Sequence, residues 1–81
     1  MRAIAELPHS DCKISIFTMN QKFIIKFEQG VLEQSYKLAE TDVIGGVNGV
    51  FELLDEKFIN DVIEQFKQMR KTFINAYDRY E

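Results

Sequence analysis

The chain is poor in the residues that give many very small proteins extra stability or reactive chemistry. Its 81 residues include one cysteine, one histidine, one proline and no tryptophan. The single thiol of Cys12 excludes an intramolecular disulfide, and one Cys with one His is too few for the four ligands of a structural zinc site. A domain of this size buries only about 60% of the surface that its unfolded chain exposes. We therefore expect no metal and no cofactor, and we expect a partner subunit to supply part of the stability.

Long apolar runs are also missing. No run approaches the roughly 18 residues of a membrane-spanning helix, and Glu6 interrupts the first residues before an apolar signal segment forms. The unpaired Cys12 fits a reducing compartment. We therefore expect a cytoplasmic protein without a membrane partner.

What the chain does contain predicts one folded domain over residues 1–81. Hydrophobic residues make up 46% of the sequence, with seven Phe and three Tyr, and the net charge is only -3. Disordered chains lack aromatic residues and carry a large net charge. The apolar residues recur at period two over residues 1–40 and at period 3.6 over residues 55–80, with a glycine-containing connection at 41–54. This pattern predicts an α+β fold, a four-stranded antiparallel β-meander with one long C-terminal helix packed across one sheet face.

Three turn signals divide the first half into four strands and predict how the strands pair. The signals are residues 8–11, Asn20–Gln21 and Gln29–Gly30. The predicted registers can each be checked by one pair: Leu7 opposite Cys12, Ile16 opposite Ile25, and Phe27 opposite Leu32. All three turns place the apolar side chains on the same sheet face.

The sequence predicts both where the helix starts and how long it is. Asp55 can cap the free N–H groups of its first turn, and the apolar stripe repeats every seven residues from Ile59 to Tyr80. A helix of this length spans roughly 38 Å, whereas four strands span only about 15–20 Å. The helix should therefore extend beyond its sheet and expose Phe73, Tyr77 and Tyr80. We expect these aromatic residues to form the contact of a homodimer.

The outer sheet face carries an apolar and basic patch at one end. The predicted registers align Arg2, Phe17, Ile24 and Ser35 in one row and Met19, Lys22 and Lys37 in the next. The candidate binding residues are Arg2, Ile4, Phe17, Met19, Lys22, Ile24 and Lys37. A dimer contact or a protein partner is the favoured interpretation of this patch.

Single-stranded nucleic acid is the alternative ligand for the same patch, because aromatic side chains stack on bases and lysines bind phosphates. Four antiparallel strands followed by a dimerising helix are similar in topology to the PUR-type and whirly nucleic-acid-binding modules, and that resemblance implies the same ligand. The charge disfavours it. Residues 1–40 carry five Lys or Arg and five Asp or Glu, and residues 41–81 carry five and eight, without the basic surplus of nucleic-acid binders.

No catalytic constellation is present in the sequence. His9, Asp11 and Cys12 form an H-x-D-C cluster from which a thiolate enzyme could be built, but Pro-His-Ser-Asp is ordinary turn sequence and the predicted register buries Cys12. The glycines at 45, 46 and 49 lack the Lys-Ser/Thr of a phosphate-binding loop. We therefore expect a non-enzymatic binding or assembly module, with a small enzyme using Cys12 and His9 as a further alternative.

Overall fold

The computed structural model describes all residues from 1 to 81. The chain folds as a meander of four strands followed by helices. The elements are β1 (Arg2–Leu7), β2 (Lys13–Met19), β3 (Lys22–Gln29), β4 (Leu32–Ala39), a 3-10 turn (Glu40–Asp42), α1 (Val47–Leu53) and α2 (Glu56–Tyr80). The four strands form one antiparallel sheet in chain order. The predicted α+β meander with a long C-terminal helix is confirmed, and the short helix α1 is an addition to it.

The central hairpin has the predicted register. Ile16 pairs with Ile25, and the connecting residues Asn20 and Gln21 have φ angles of 53° and 63°. Two successive positive φ values are typical of the type I′ turn, whose twist matches that of the strands it joins. This turn therefore sets the face on which the β2 and β3 side chains lie.

The predicted register between β1 and β2 was wrong by two residues. Leu7 pairs with Ile14 and not with Cys12. The loop before Cys12 is closed by side chains: the Asp11 N–H donates to Nδ1 of His9 at 3.1 Å, and Nε2 of Gln29 donates to the Asp11 carbonyl at 2.9 Å. Because the shift is an even number of residues, Leu7 remains on the predicted face.

An irregularity in β1 also contradicts the predicted row that began with Arg2. Ala5 pairs with Ile16 and Ala3 with Phe17, so that Ile4 is an extra residue on this strand. A β-bulge of this kind moves the following side chains to the opposite face. Arg2 consequently pairs with Thr18, which belongs to the helix-side rows, and Ala3 takes the predicted place of Arg2 beside Phe17.

The turn between β3 and β4 lies one residue later than predicted. Gln29 pairs with Leu32, which leaves Gly30 and Val31 as the turn, and Gly30 has a φ of 60°. A glycine at the first central position with positive φ fits a type II′ turn. Phe27 therefore does not face Leu32, and on the outer face the partner of Ile24 is Lys37 and not Ser35.

The core lies between the inner sheet face and the two helices. Its ten buried residues are Cys12, Ile14, Ile16, Phe23, Ile25, Phe27, Val50, Leu54, Val62 and Phe66. Phe27 and Phe66 are the largest fully buried side chains. Tyr36 and Phe58 close one side of this core, with ring centroids 6.0 Å and 5.4 Å from that of Phe27 and edge-to-face geometry.

The connection between sheet and helix lies on the core, as its apolar residues indicate. Gly45 and Gly46 have positive φ angles and turn the chain into α1, which buries Val50. A Cβ at Gly49 would overlap the backbone carbonyl oxygen of Ile44 and lie 2.6 Å from Cγ1 of Val43, so only glycine allows this approach. The glycines thus serve the tight packing of the connection.

Helix α2 begins where the sequence predicts and is buried along only part of its length. The Phe58 N–H donates to Oδ1 of Asp55 at 2.9 Å, which makes Asp55 the N-cap. The buried and half-buried residues of α2 all lie between Phe58 and Met69, and every residue from Arg70 onward is exposed. The predicted extension of the helix beyond its sheet is therefore observed. No helix of the structure is both long enough and apolar enough to cross a membrane.

Candidate interaction surfaces

The exposed end of α2 carries the aromatic residues proposed as a contact from the sequence. Phe73 and Tyr77 are each 53% exposed and Tyr80 is 86% exposed. They continue the stripe that contains Phe66, a residue with no exposed surface. The same helix face is thus core at one end and uncovered at the other. We call Phe73, Tyr77 and Tyr80 the helix-end cluster.

Beside this cluster lies an apolar groove that the sequence did not reveal. Its volume is about 540 Å³. It is lined by Val31, Leu32, Gln65, Gln68, Met69, Thr72, Phe73 and Ala76, and we call it the helix-end groove. Val31, at the tip of the β3–β4 turn, is 86% exposed. The groove therefore has apolar walls, with two glutamines among its lining residues.

Two side-chain hydrogen bonds fix α2 to the sheet next to this groove. Nε2 of the buried Gln34 donates to the Val62 carbonyl at 2.9 Å, and one guanidinium nitrogen of Arg70 donates to Oε1 of Gln29. The hydroxyl of Tyr36 donates to Oε1 of Gln34 at 2.7 Å, so the Gln34 amide is satisfied at both ends. The helix is consequently held in place up to the residue at which its exposed part begins.

The outer-sheet patch is more covered than its sequence indicates. Ile24 is only 6% exposed although no second layer lies on this face, and its cross-strand partners are Phe17 and Lys37. The Nζ of Lys26 lies 5.8 Å from the centroid of the Phe17 ring, a cation–π distance. A base stacking on Phe17 would have to displace this lysine, which disfavours the nucleic-acid interpretation.

The remaining patch residues are dispersed by the observed register. Lys22 pairs with Met19 at the hairpin end, and Lys37 lies in the neighbouring row beside Ile24. Ile4 and Met19 are exposed, at the bulge and at the end of β2. Arg2 lies in a helix-side row, as described above. Met19 therefore lies beside Lys22, whereas Ile4 and Lys37 are on opposite edge strands of the sheet.

The first loop does not bring together the groups of a thiolate enzyme. Cys12 is 8% exposed, and burial, together with the charge of Asp11, raises the pKa of its thiol. Nδ1 of His9 already accepts the Asp11 N–H. A nucleophilic cysteine requires a lowered pKa and an accessible sulfur, and this loop supplies neither.

No group of three or more His, Cys, Asp or Glu side chains is arranged to hold a metal ion. Helix α1 begins at the glycine-rich segment and has seven residues, with no side chain capping its first turn. The candidate interaction surfaces are the helix end and the outer-sheet patch, where large apolar side chains are exposed. Comparisons with family models, with curated proteins and with solved structures find no significant match to this chain.

Proposed function

We propose that this protein is a small non-enzymatic assembly module of the cytoplasm that acts as a homodimer through the end of α2. The observation that carries the proposal is the helix-end cluster, which continues the stripe of buried and half-buried residues of α2 into solvent. A helix is apolar on the face that it buries. The apolar face of α2 is uncovered from Arg70 onward. This exposure supports the proposal that another molecule buries it.

The exposed area is of the size that a symmetric contact needs. Since an aromatic side chain buries about 150–250 Å², the exposed fractions of Phe73, Tyr77 and Tyr80 amount to on the order of 400 Å². Ile74 and Val31 are also exposed and increase this to about 600 Å² per subunit, or roughly 1,200 Å² for a pair, the lower end for specific interfaces. A symmetric pair also lets each copy provide the same apolar surface that it needs to cover.

The outer-sheet patch remains available in such a dimer for a further protein. Met19 is exposed there beside Lys22, and the next row contains Phe17, Ile24 and Lys37. Apolar side chains with charged neighbours are typical of transient protein contacts. The dimer would present two such patches, one on each subunit, and the proposed role of the module is to hold two partners together.

The molar mass in solution at several protein concentrations tests the homodimer. We expect sedimentation equilibrium to show twice the 9.5 kDa chain mass at high concentration, with dissociation on dilution. Tyr77→Lys should shift the equilibrium to monomer, because it places a charge in the contact. Asn75→Lys is the matched control, since it adds the same charge two residues away on another face of the helix.

A mass of 9.5 kDa at every concentration would remove the proposal. Equal effects of the two lysine variants would show that net charge, and not the helix-end cluster, governs association. Both variants should fold, because residues 75 and 77 are exposed and outside the core. Circular dichroism checks that they do.

A further inference from the structure

We infer that two copies pack the last three turns of α2 antiparallel, and that each Tyr80 inserts into the helix-end groove of the other subunit. The inference rests on the proposed homodimer and specifies its geometry. It assigns an occupant to the groove, an aromatic side chain of a second copy.

The position of the sheet favours the antiparallel arrangement. The sheet covers the apolar face of α2 from Phe58 to Met69. Helices in contact are only about 8–10 Å apart. In a parallel pair the two sheets would lie at the same level, between the helices, and would keep the helix-end clusters from meeting. In an antiparallel pair the sheets lie at opposite ends.

The inferred pairing puts the two-fold axis between residues 74 and 75. This position brings Tyr80 beside Met69 of the other copy and Phe73 beside Ala76. Met69 and Ala76 both line the helix-end groove. The small side chain of Ala76 leaves room for the large ring of Phe73, and the same pairing occurs twice because of the symmetry.

The chemistry of the groove suits a tyrosine. Val31, Leu32 and Met69 provide apolar contact for the ring, and Gln65 and Gln68 provide amide groups for its hydroxyl. Tyrosine buries an apolar body and requires a partner for its polar tip. Large aromatic side chains in pockets are also the most frequent energetic centres of interfaces. Tyr80 is the most exposed aromatic residue of the helix-end cluster, and within its own chain its ring has Tyr77 as an aromatic neighbour, at a centroid distance of 6.3 Å.

Charge along α2 favours the antiparallel orientation over the parallel one. Between Gln65 and Tyr77 the helix has three basic residues, Lys67, Arg70 and Lys71, and no acidic one. Asp78, Arg79 and Glu81 follow at its end. An antiparallel pair brings Asp78 beside Lys71 of the other copy, and it also brings Arg79 beside Arg70. A parallel pair would align every charged residue of the helix with its like.

Distances between spin labels test the orientation separately from association. Labels are attached at Asn75→Cys, level with the two-fold axis but on the outer side of each helix, and at Asn60→Cys, near the start of α2, each with Cys12→Ala. Both positions are exposed. At 1.5 Å per residue the antiparallel pair separates the two labels at position 60 by roughly 50 Å and those at position 75 by only about 30 Å.

A long distance at 60 with a short one at 75 supports the inference. Short distances at both positions would show a parallel dimer, which overturns the inference and leaves the proposed homodimer intact. The absence of any intermolecular distance would remove both. A short distance at 60 alone would place the contact away from the helix end and overturn the inference as well.

The insertion of Tyr80 has its own test. Tyr80→Ala should raise the dimer dissociation constant at least about tenfold, as expected for an aromatic residue at an interface centre. Asn75→Ala, on the far side of the helix, should change it little. Equal dissociation constants for Tyr80→Ala and the unchanged protein would refute the insertion, whatever the orientation of the helices.

Discussion

Two phenylalanines on one face of α2 provide a direct measure of what covers the helix end. Phe66 and Phe73 lie two turns apart on the same stripe, but Phe66 has no exposed surface whereas Phe73 is 53% exposed. Replacing each by alanine removes the same atoms. Each substitution lowers the free energy of unfolding by some amount. The difference between the two amounts therefore reports on what surrounds each ring and not on the chemistry of the side chain.

The structure determines the expected size of each cost. Phe66→Ala should destabilise the chain by about 3–5 kcal/mol, because it removes a fully buried ring and leaves a closed cavity. Phe73→Ala removes a ring that is only half covered by its own chain and leaves no closed cavity. With about 1.5–3 kcal/mol for complete burial of such a side chain, the monomer should lose about 1 kcal/mol.

Dimer formation should change the destabilisation caused by Phe73→Ala but not the one caused by Phe66→Ala. At a protein concentration about 100 times the dissociation constant, binding of a second copy adds about 2.7 kcal/mol to the stability. Phe73→Ala should lose much of that addition, while Phe66→Ala should show the same cost at every concentration. Urea unfolding at concentrations roughly 100-fold apart, followed by circular dichroism, measures both variants.

Two results would refute this reasoning. If Phe73→Ala were as costly as Phe66→Ala in dilute solution, the chain itself would have to cover the helix end. If the cost of Phe73→Ala did not rise with concentration, no second copy would contact that ring. A changed dependence on urea in either variant would indicate altered compactness, and the comparison would then use Phe73→Leu.

Two further predictions concern the sheet and its first loop. Gln21→Gly should stabilise the protein by roughly 0.5–1 kcal/mol, because Gln21 has a φ of 63° that glycine adopts without strain; a lower midpoint of thermal unfolding would contradict this. Cys12 should react with a thiol reagent at neutral pH only after denaturant is added, since burial and Asp11 raise the pKa of its thiol. The Cys12 thiol therefore binds its proton more tightly in the native state than in the unfolded state. As a result, the free energy of unfolding should fall as pH rises above about 9. Cys12→Ala should remove that part of the fall, and an identical pH profile would contradict the assignment.

The strand registers show what a sequence can and cannot specify. The β2–β3 hairpin was predictable because its turn, Asn20–Gln21, has two residues and by itself fixes the pairing of the strands on either side. The β1–β2 register was not, because its loop is held by a bond from Gln29, eighteen residues from Asp11. The bulge at Ile4 has no local signal, since no glycine marks it.

The candidate surface was likewise predictable in part. The exposure of Phe73, Tyr77 and Tyr80 follows from helix length and strand number, which are both evident from periodicity. The groove beside them depends on Val31, and a turn placed one residue early assigns Val31 to a strand instead of to the turn tip. An error of one residue in a turn therefore leaves the buried face correct and hides a binding surface.

The exposed end of α2 suits a contact with another subunit because the helix is firmly attached to the sheet. Gln34 bonds to Val62 and Gln29 bonds to Arg70, so the two anchors lie eight residues, or about 12 Å, apart along the helix. The exposed turns continue directly from the second anchor without a break in α2. A helix held in this way loses little conformational freedom when another copy binds, and low ordering cost lets a contact of modest area remain stable. Loss of the Gln34 and Arg70 anchors would therefore weaken association even though neither residue belongs to the helix-end cluster.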